Sequence, residues 1–220
     1  MGQFFSVNKG DNMNKINYQK QLDKLLEQLK KDNKRPSLLL HICCAPCNSY
    51  VLEYLNDYFD ITVFFYNPNI SYEDEYKKRV NEELKFLKAF PLNNAVKFVE
   101  GKYDPESFYA IAKGRESLPE GGERCYSCYE LRLKEAAIYA SQNKFDYYTT
   151  SLSISPYKNA DWLNEIGTRL GKEYGVEYLV SDFKKKNGYK RSIELSRLYN
   201  LYRQDYCGCV YSKMERENNR

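Results

Sequence analysis

The chain has a single histidine and, across its 220 residues, no run of eighteen or more apolar side chains. The missing run excludes a membrane-spanning helix. The first fifteen residues, MGQFFSVNKGDNMNK, lack the long apolar segment of a secretory leader, so a cytoplasmic protein is expected. Met1-Gly2 with Ser6 matches the bare myristoylation pattern, which is short enough to recur by chance. The lone histidine, His41, closes the first apolar strand and reads as a packing residue rather than a ligand. Glycine is missing where it would matter most. A nucleotide-binding α/β protein needs a glycine-rich loop after its first strand, so that backbone N–H groups can approach phosphate. Here Leu38–Ile42 runs into Cys43-Cys44-Ala45-Pro46-Cys47, with no glycine. ATP binding at that loop is disfavoured, and metal or redox chemistry takes its place.

What is present is cysteine, in clusters. Seven cysteines fall as Cys43/Cys44/Cys47, Cys125/Cys128 and Cys207/Cys209, which favours metal or redox chemistry over a disulfide framework. A strand that delivers three thiols into a loop does little for packing and much for binding a soft metal. Cys125 and Cys128 form C-x-x-C at a predicted helix start, where the dipole favours thiolate. Five thiols exceed the four that one tetrahedral zinc or one iron–sulfur cluster takes, so the spacing fits a structural zinc with a spare cysteine or a cluster with a second metal beside it. Cys207-Gly208-Cys209 is a different object. As a disulfide it closes a small strained ring, and strained pairs have the higher potentials of redox couples; it could equally add metal ligands.

The remaining composition is permissive. A 42% hydrophobic content supports one sizeable core, and a net charge of +4 is compatible with a nucleic-acid partner. Twenty-two tyrosines supply packing residues and faces on which bases stack. Lys184, Lys185, Lys186, Lys190 and Arg191 surround Gly188-Tyr189, a combination that suits phosphate contact and stacking, or simply a solvated loop. No internal repeat or low-complexity segment is evident.

Periodicity predicts a polar tail and leading helix over 1–36, a single α/β catalytic domain over 37–212, and a polar tail over 213–220. Helices are expected from Tyr18 to Leu29, about Asn48 to Asn56 with Asn48 or Ser49 as cap, Ser71 to Lys88, Asp104 or Ser107 to Gly114, Cys125 to Gln142, after Asn159 to Tyr174, and Arg191 to Arg203. They alternate with strands at Ser37–Ile42, Ile61–Tyr66, Ala95–Val99, Tyr147–Leu152 and Val176–Val180. The alternation predicts a mostly parallel five-stranded sheet covered on both faces, with the ligand site outside the carboxyl ends of the strands. Cys43–Cys47, Asn67–Ile70 and Ser155–Asn159 should share that rim.

Taken together, HICCAPC (41–47), FFYNPNI (64–70), PEGGERCYSCYELRL (119–133), TTSLSISPYKN (149–159) and YRQDYCGC (202–209) resemble the QueH family of epoxyqueuosine reductases. The resemblance implies a three-layer Rossmann-like fold, similar to the nucleotide alpha-hydrolase group, with the phosphate loop replaced by the cysteine loop. It implies a cytoplasmic enzyme that reduces epoxyqueuosine at the tRNA wobble position to queuosine, without cobalamin, using a 4Fe–4S cluster and an adjacent mononuclear iron. Cys43, Cys44, Cys47, Cys125 and Cys128 would be the metal ligands, although some relatives carry aspartate where Cys47 stands. In this reading iron polarises the epoxide oxygen while the cluster delivers electrons from a donor the sequence does not identify. Cys207 and Cys209 would relay electrons, Asp205 and Tyr157 are candidate proton donors, and Ser155, Lys158, Asn159 and Arg203, with Lys190 and Arg191 of the basic loop, are candidate tRNA contacts. Two rival readings remain: an iron–sulfur tRNA thiolase, which would need ATP, and a zinc-stabilised RNA-binding module without catalysis.

Overall fold

The computed structural model describes residues 16–219. The myristoylation pattern at Met1, Gly2 and Ser6 lies outside them. Five parallel strands, β1 (Ser37–His41), β2 (Asp60–Phe65), β3 (Lys97–Glu100), β4 (Tyr147–Thr150) and β5 (Glu177–Tyr178), form one sheet in the order β3-β2-β1-β4-β5. β1 pairs with β2 through Leu38↔Ile61 and Leu40↔Val63, and with β4 through Leu39↔Tyr148. The strand order reverses at β1, so a crevice opens between the loops that follow β1 and β4.

The two-residue period of β1 divides the core. Leu38 and Leu40 face a layer made by α1 (Tyr18–Lys31), α2 (Ala45–Leu55), α3 (Glu73–Ala89) and α7 (Gly188–Leu198). Leu39 faces the opposite layer, α5 (Glu123–Gln142) and α6 (Ala160–Tyr174). The result is the expected three-layer α/β/α domain. His41 is buried, with Nδ1 at 2.8 Å from Thr150 Oγ1 and Nε2 at 3.0 Å from the Tyr66 carbonyl. It ties β1 to both neighbours, and burial holds it down to about 3, which makes it a neutral packing residue. Among the described residues no helix is long and apolar enough to cross a membrane.

Several element boundaries differ from expectation. α2 begins at Ala45 rather than Asn48, because Pro46 fits the first helical turn and extended Cys44 takes the cap position; Cys47 is therefore helical. Ser71 does not cap α3, which Tyr72 precedes; its hydroxyl instead accepts from the Val210 N–H at 2.9 Å. β4 stops at Thr150, whose side chain accepts from the Leu152 N–H and starts a single 3-10 turn, Ser151–Ile154. α7 ends at Leu198, five residues short of Arg203. Asn200 adopts a left-handed conformation (φ 51°) and the Leu201 N–H bonds back to the Ser196 carbonyl at 2.8 Å, a Schellman stop. The segment expected as a polar tail from 213 belongs to α8 (Val210–Asn218). α4 (Pro105–Ala112) forms with Asp104 in the cap position.

α6 closes on the sheet through a glycine. A Cβ at Gly167 would stand 2.3–2.5 Å from the ring of Tyr178, which is buried and edge-on to Tyr148, while Tyr148 OH donates to the Gly167 carbonyl at 2.6 Å. Neither ring can swing into solvent. Gly167→Ala is therefore expected to lower stability by about 1–3 kcal/mol through overpacking, read as an earlier urea midpoint at unchanged m-value.

Candidate active site

The Cys43, Cys44 and Cys47 sulfurs all lie within 4.8 Å of one another, with Cys43 and Cys44 3.7 Å apart. A tetrahedral centre with bonds of ~2.3 Å spaces its sulfurs by about 3.8 Å, so the trio fits one face of a thiolate-ligated metal. α2 points its amino-terminal N–H groups at this loop, which favours negative charge on sulfur. The three thiols share protons: hydrogen bonds from Cys43 and Cys47 hold Cys44 well below the usual thiol range, and Cys47 is pushed well above it. They line a cavity of about 650 Å³ in the crevice at the carboxyl end of β1.

Cys125 and Cys128 stand apart from the trio. They face a narrow void shared with Cys207 and Cys209, while Cys207 also lines the large cavity. Gly121 N–H donates to Cys125 Sγ at 3.3 Å, and the preceding loop is pinned by buried Arg124, whose guanidinium donates to the carbonyls of Arg115, Glu116 and Leu118. The dipole expectation for this pair does not hold, because burial outweighs it: Cys125 is pushed up and Cys128 rises to about 12.

Besides Arg124, three buried cations surround the sulfurs. Arg79 of α3 pairs with Glu75 at 2.7 Å and donates to the Cys207 carbonyl at 3.1 Å, leaving Nη2 without a partner. Lys158, after β4, donates to Glu120 at 2.9 Å and to Cys207 Sγ at 3.3 Å. Arg132 of α5 donates to Asn67 Oδ1 at 2.5 Å, while its Nε has no partner. Arg132 lies within electrostatic reach of Cys43, Cys128 and Cys207, and so bridges the two groups of thiols.

Of the residues singled out in the sequence, Ser155, Tyr157, Lys158, Arg203, Asp205 and Cys207 line the large cavity with Cys43, Cys44 and Cys47. Tyr157 is 71% exposed at its mouth, whereas Lys158 is buried. Arg203 donates to Ser196 Oγ at 3.0 Å. Three others line neither this cavity nor the narrow void. Asn159 caps α6 by accepting from the Trp162 N–H at 3.2 Å; Arg191 grips Glu53 with two hydrogen bonds and also meets Glu194; and Lys190 is exposed on the outer side of α7. Lys184 and Lys186 of the same basic loop pair with Asp182 and Asp23.

With this geometry in place, the comparisons with known proteins are decisive. The QueH family profile, described as epoxyqueuosine reductase QueH, matches residues 38–215. The chain belongs to the QueH family. Proteins named epoxyqueuosine reductase QueH from Staphylococcus epidermidis and Streptococcus pyogenes are each 45% identical to it over 91% of this chain, covering 86% and 81% of their own lengths. The one from Thermotoga maritima is 36% identical over 82% of the chain and 92% of its own length.

For this QueH-family chain, sequence reasoning missed the residues that hold the thiols in place. Arg79 and Glu83 sit on the charged helix expected over Ser71 to Lys88; both are fully buried, while the apolar Leu84 and Leu87 of the same helix are half-buried. The signal was there in their i, i+4 spacing from Glu75 and from each other, on the side next to Val80. Glu83 anchors the cysteine-bearing end of α2. Its Oε1 accepts from Asn48 Nδ2 at 2.5 Å, and its Oε2 and Asn48 Oδ1 have no other partner. Burial pushes Glu83 from 4.5 up to about 8. A neutral Glu83 carries an O–H donor, and Asn48 Oδ1 is an acceptor with no other partner. Between pH 4.5 and about 8 the folded chain thus holds a proton the unfolded chain has lost, and stability falls as pH rises, by at most about 1.4 kcal/mol per unit from this group. Glu83→Gln, which keeps an amide–amide pair, is expected to flatten the dependence of denaturant midpoint on pH across that window; an unchanged slope would assign the dependence elsewhere.

Proposed function

We propose that this chain reduces the epoxide of epoxyqueuosine in tRNA to the alkene of queuosine, working in the cytoplasm with a 4Fe–4S cluster and an adjacent iron held by Cys43, Cys44, Cys47, Cys125 and Cys128. The observation that carries the reading is the convergence of three thiols at the carboxyl end of the central strand, where a nucleotide-binding relative would place its phosphate loop, beside buried cations. Negative charge on sulfur-bound metal offsets that buried positive charge. Bound there, the metal group would supply the electrons and the Lewis acidity that epoxide reduction requires.

The chain's own residues do the rest. Tyr157, Tyr189 and Tyr206 on the cavity wall offer faces for a nucleobase, and Arg203 and Arg216 offer charge to the phosphates on either side. Ser155 and Lys158 reach the cavity from the loop after β4 and orient the modified sugar-like ring. Asp205, on the same wall, is our candidate for proton transfer to the departing oxygen; Tyr157, in solvent at the mouth, suits stacking better than proton transfer. Cys207 and Cys209 form a redox pair beside the metal site.

The direct test is turnover. Anaerobically purified protein given tRNA carrying epoxyqueuosine and a reductant should yield queuosine by nucleoside mass spectrometry. Cys43→Ala should lower the rate by more than ~100-fold, since even residues behind a metal's ligands cost 10–100-fold. Cys207→Ala should slow turnover yet keep the cluster's visible absorbance; loss of that absorbance would make Cys207 a ligand instead. Robust tRNA-stimulated ATP hydrolysis without queuosine would overturn the reading in favour of a thiolase.

A further inference from the structure

Cys207 and Cys209 are held by different partners. Cys207 is half-buried, opens onto the large cavity, and receives a charge-assisted hydrogen bond from the buried Lys158 ammonium at 3.3 Å. Cys209 is buried, lines only the narrow void, and caps α8, where its sulfur accepts from the Ser212 N–H at 3.3 Å. One circuit links the two. Lys158 donates to Glu120 Oε1 at 2.9 Å, Ser212 Oγ donates to Glu120 Oε2 at 2.8 Å, and the Cys207 N–H donates to Ser212 Oγ at 3.1 Å. Lys158 directs two of its three N–H donors into this circuit.

We propose that Cys207–Cys209 is an asymmetric couple: Cys207 is the sulfur that exchanges with an external thiol reductant, Cys209 is the buried sulfur that resolves, and Lys158 and Glu120 are positioning residues for Cys207. The proposal rests on the redox reading of the pair given above. In the oxidised pair, an external thiolate attacks Cys207 Sγ. The new sulfur–sulfur bond forms as the Cys207–Cys209 bond breaks, and the electron pair leaves on Cys209, which takes up the proton the external thiol released. Cys209 is buried, so the expelled sulfur is retained as a neutral thiol. A second external thiolate attacks the first external sulfur, and Cys207 departs against the Lys158 ammonium and takes up the proton that the second external thiol released. One protein disulfide and two thiols become a dithiol and an external disulfide. The dithiol then holds two electrons and two protons, the number consumed when an epoxide becomes an alkene and water.

The test uses the full-length, anaerobically purified protein and glutathione. Trypsin releases Gln204–Lys213, which contains both cysteines of the pair and no other. After exposure to oxidised glutathione and acid quench, mass spectrometry of this peptide should show a glutathione adduct on Cys207 in Cys209→Ser, and at least tenfold less on Cys209 in Cys207→Ser. Within Cys209→Ser, Lys158→Met should slow adduct formation at least tenfold and Lys158→Arg should restore much of the rate. Equal labelling of the two cysteines overturns the asymmetry, whatever happens to any Lys158 variant, and an unchanged rate in Lys158→Met overturns the positioning role. If the wild-type peptide forms no disulfide at any glutathione ratio, the redox reading itself falls; a disulfide with symmetric labelling sinks only the proposal made here.

Discussion

Positive charge buried against sulfur is the constraint on which the rest of this structure depends. Arg79, Arg132 and Lys158 come from α3, α5 and the loop after β4, and all three are withdrawn from solvent around the cysteines. Arg79 and Lys158 each have one carboxylate partner; Arg132 has only an asparagine oxygen and the surrounding thiols. A buried, uncompensated charge costs several kcal/mol. The sulfurs are the groups at hand to compensate it, which they do as thiolates or as metal ligands. The polar scaffold around them, Asn67 under Arg132 and the neutral Glu83 under Asn48, keeps the two halves of the site in register.

The topology explains why these groups meet. β1 lies at the middle of the sheet and the strand order reverses beside it, so the loops after β1 and β4 open into the same crevice. α5 packs along α6 on one face and delivers Cys125 and Cys128 to the same end. The segment after α7 is stitched back over the crevice: the Tyr202 N–H bonds to Glu82, the Ser71 N–H to the Gly208 carbonyl, and Arg79 to the Cys207 carbonyl. Cys207 thereby lies between the large cavity and the narrow void, the one thiol that lines both.

Much of this was legible in the chain. The apolar runs of β1 and β2, the alternation of strands and helices, and the glycine-free cysteine loop all carry local signals, and local signals survive into the fold. Misplaced boundaries came from weak local evidence overruled by specific geometry: Pro46 extended α2 toward Cys44, and left-handed Asn200 cut α7 short. The buried cations were not legible. Arg79, Glu83 and Arg132 stand among other charged residues on their helices, and only the tertiary fold decides which charges turn inward. Lys158 and Asn159 are neighbours in sequence yet one supports a thiol and the other caps a helix, a distinction that no spacing rule carries.

Quantifying iron, zinc and acid-labile sulfide per chain in anaerobically purified protein tests the central claim most directly, that buried cations face a thiolate-bound metal centre. Sulfide together with iron in excess of a single cluster is the predicted result. A colourless protein holding zinc and no sulfide under the same conditions would contradict it.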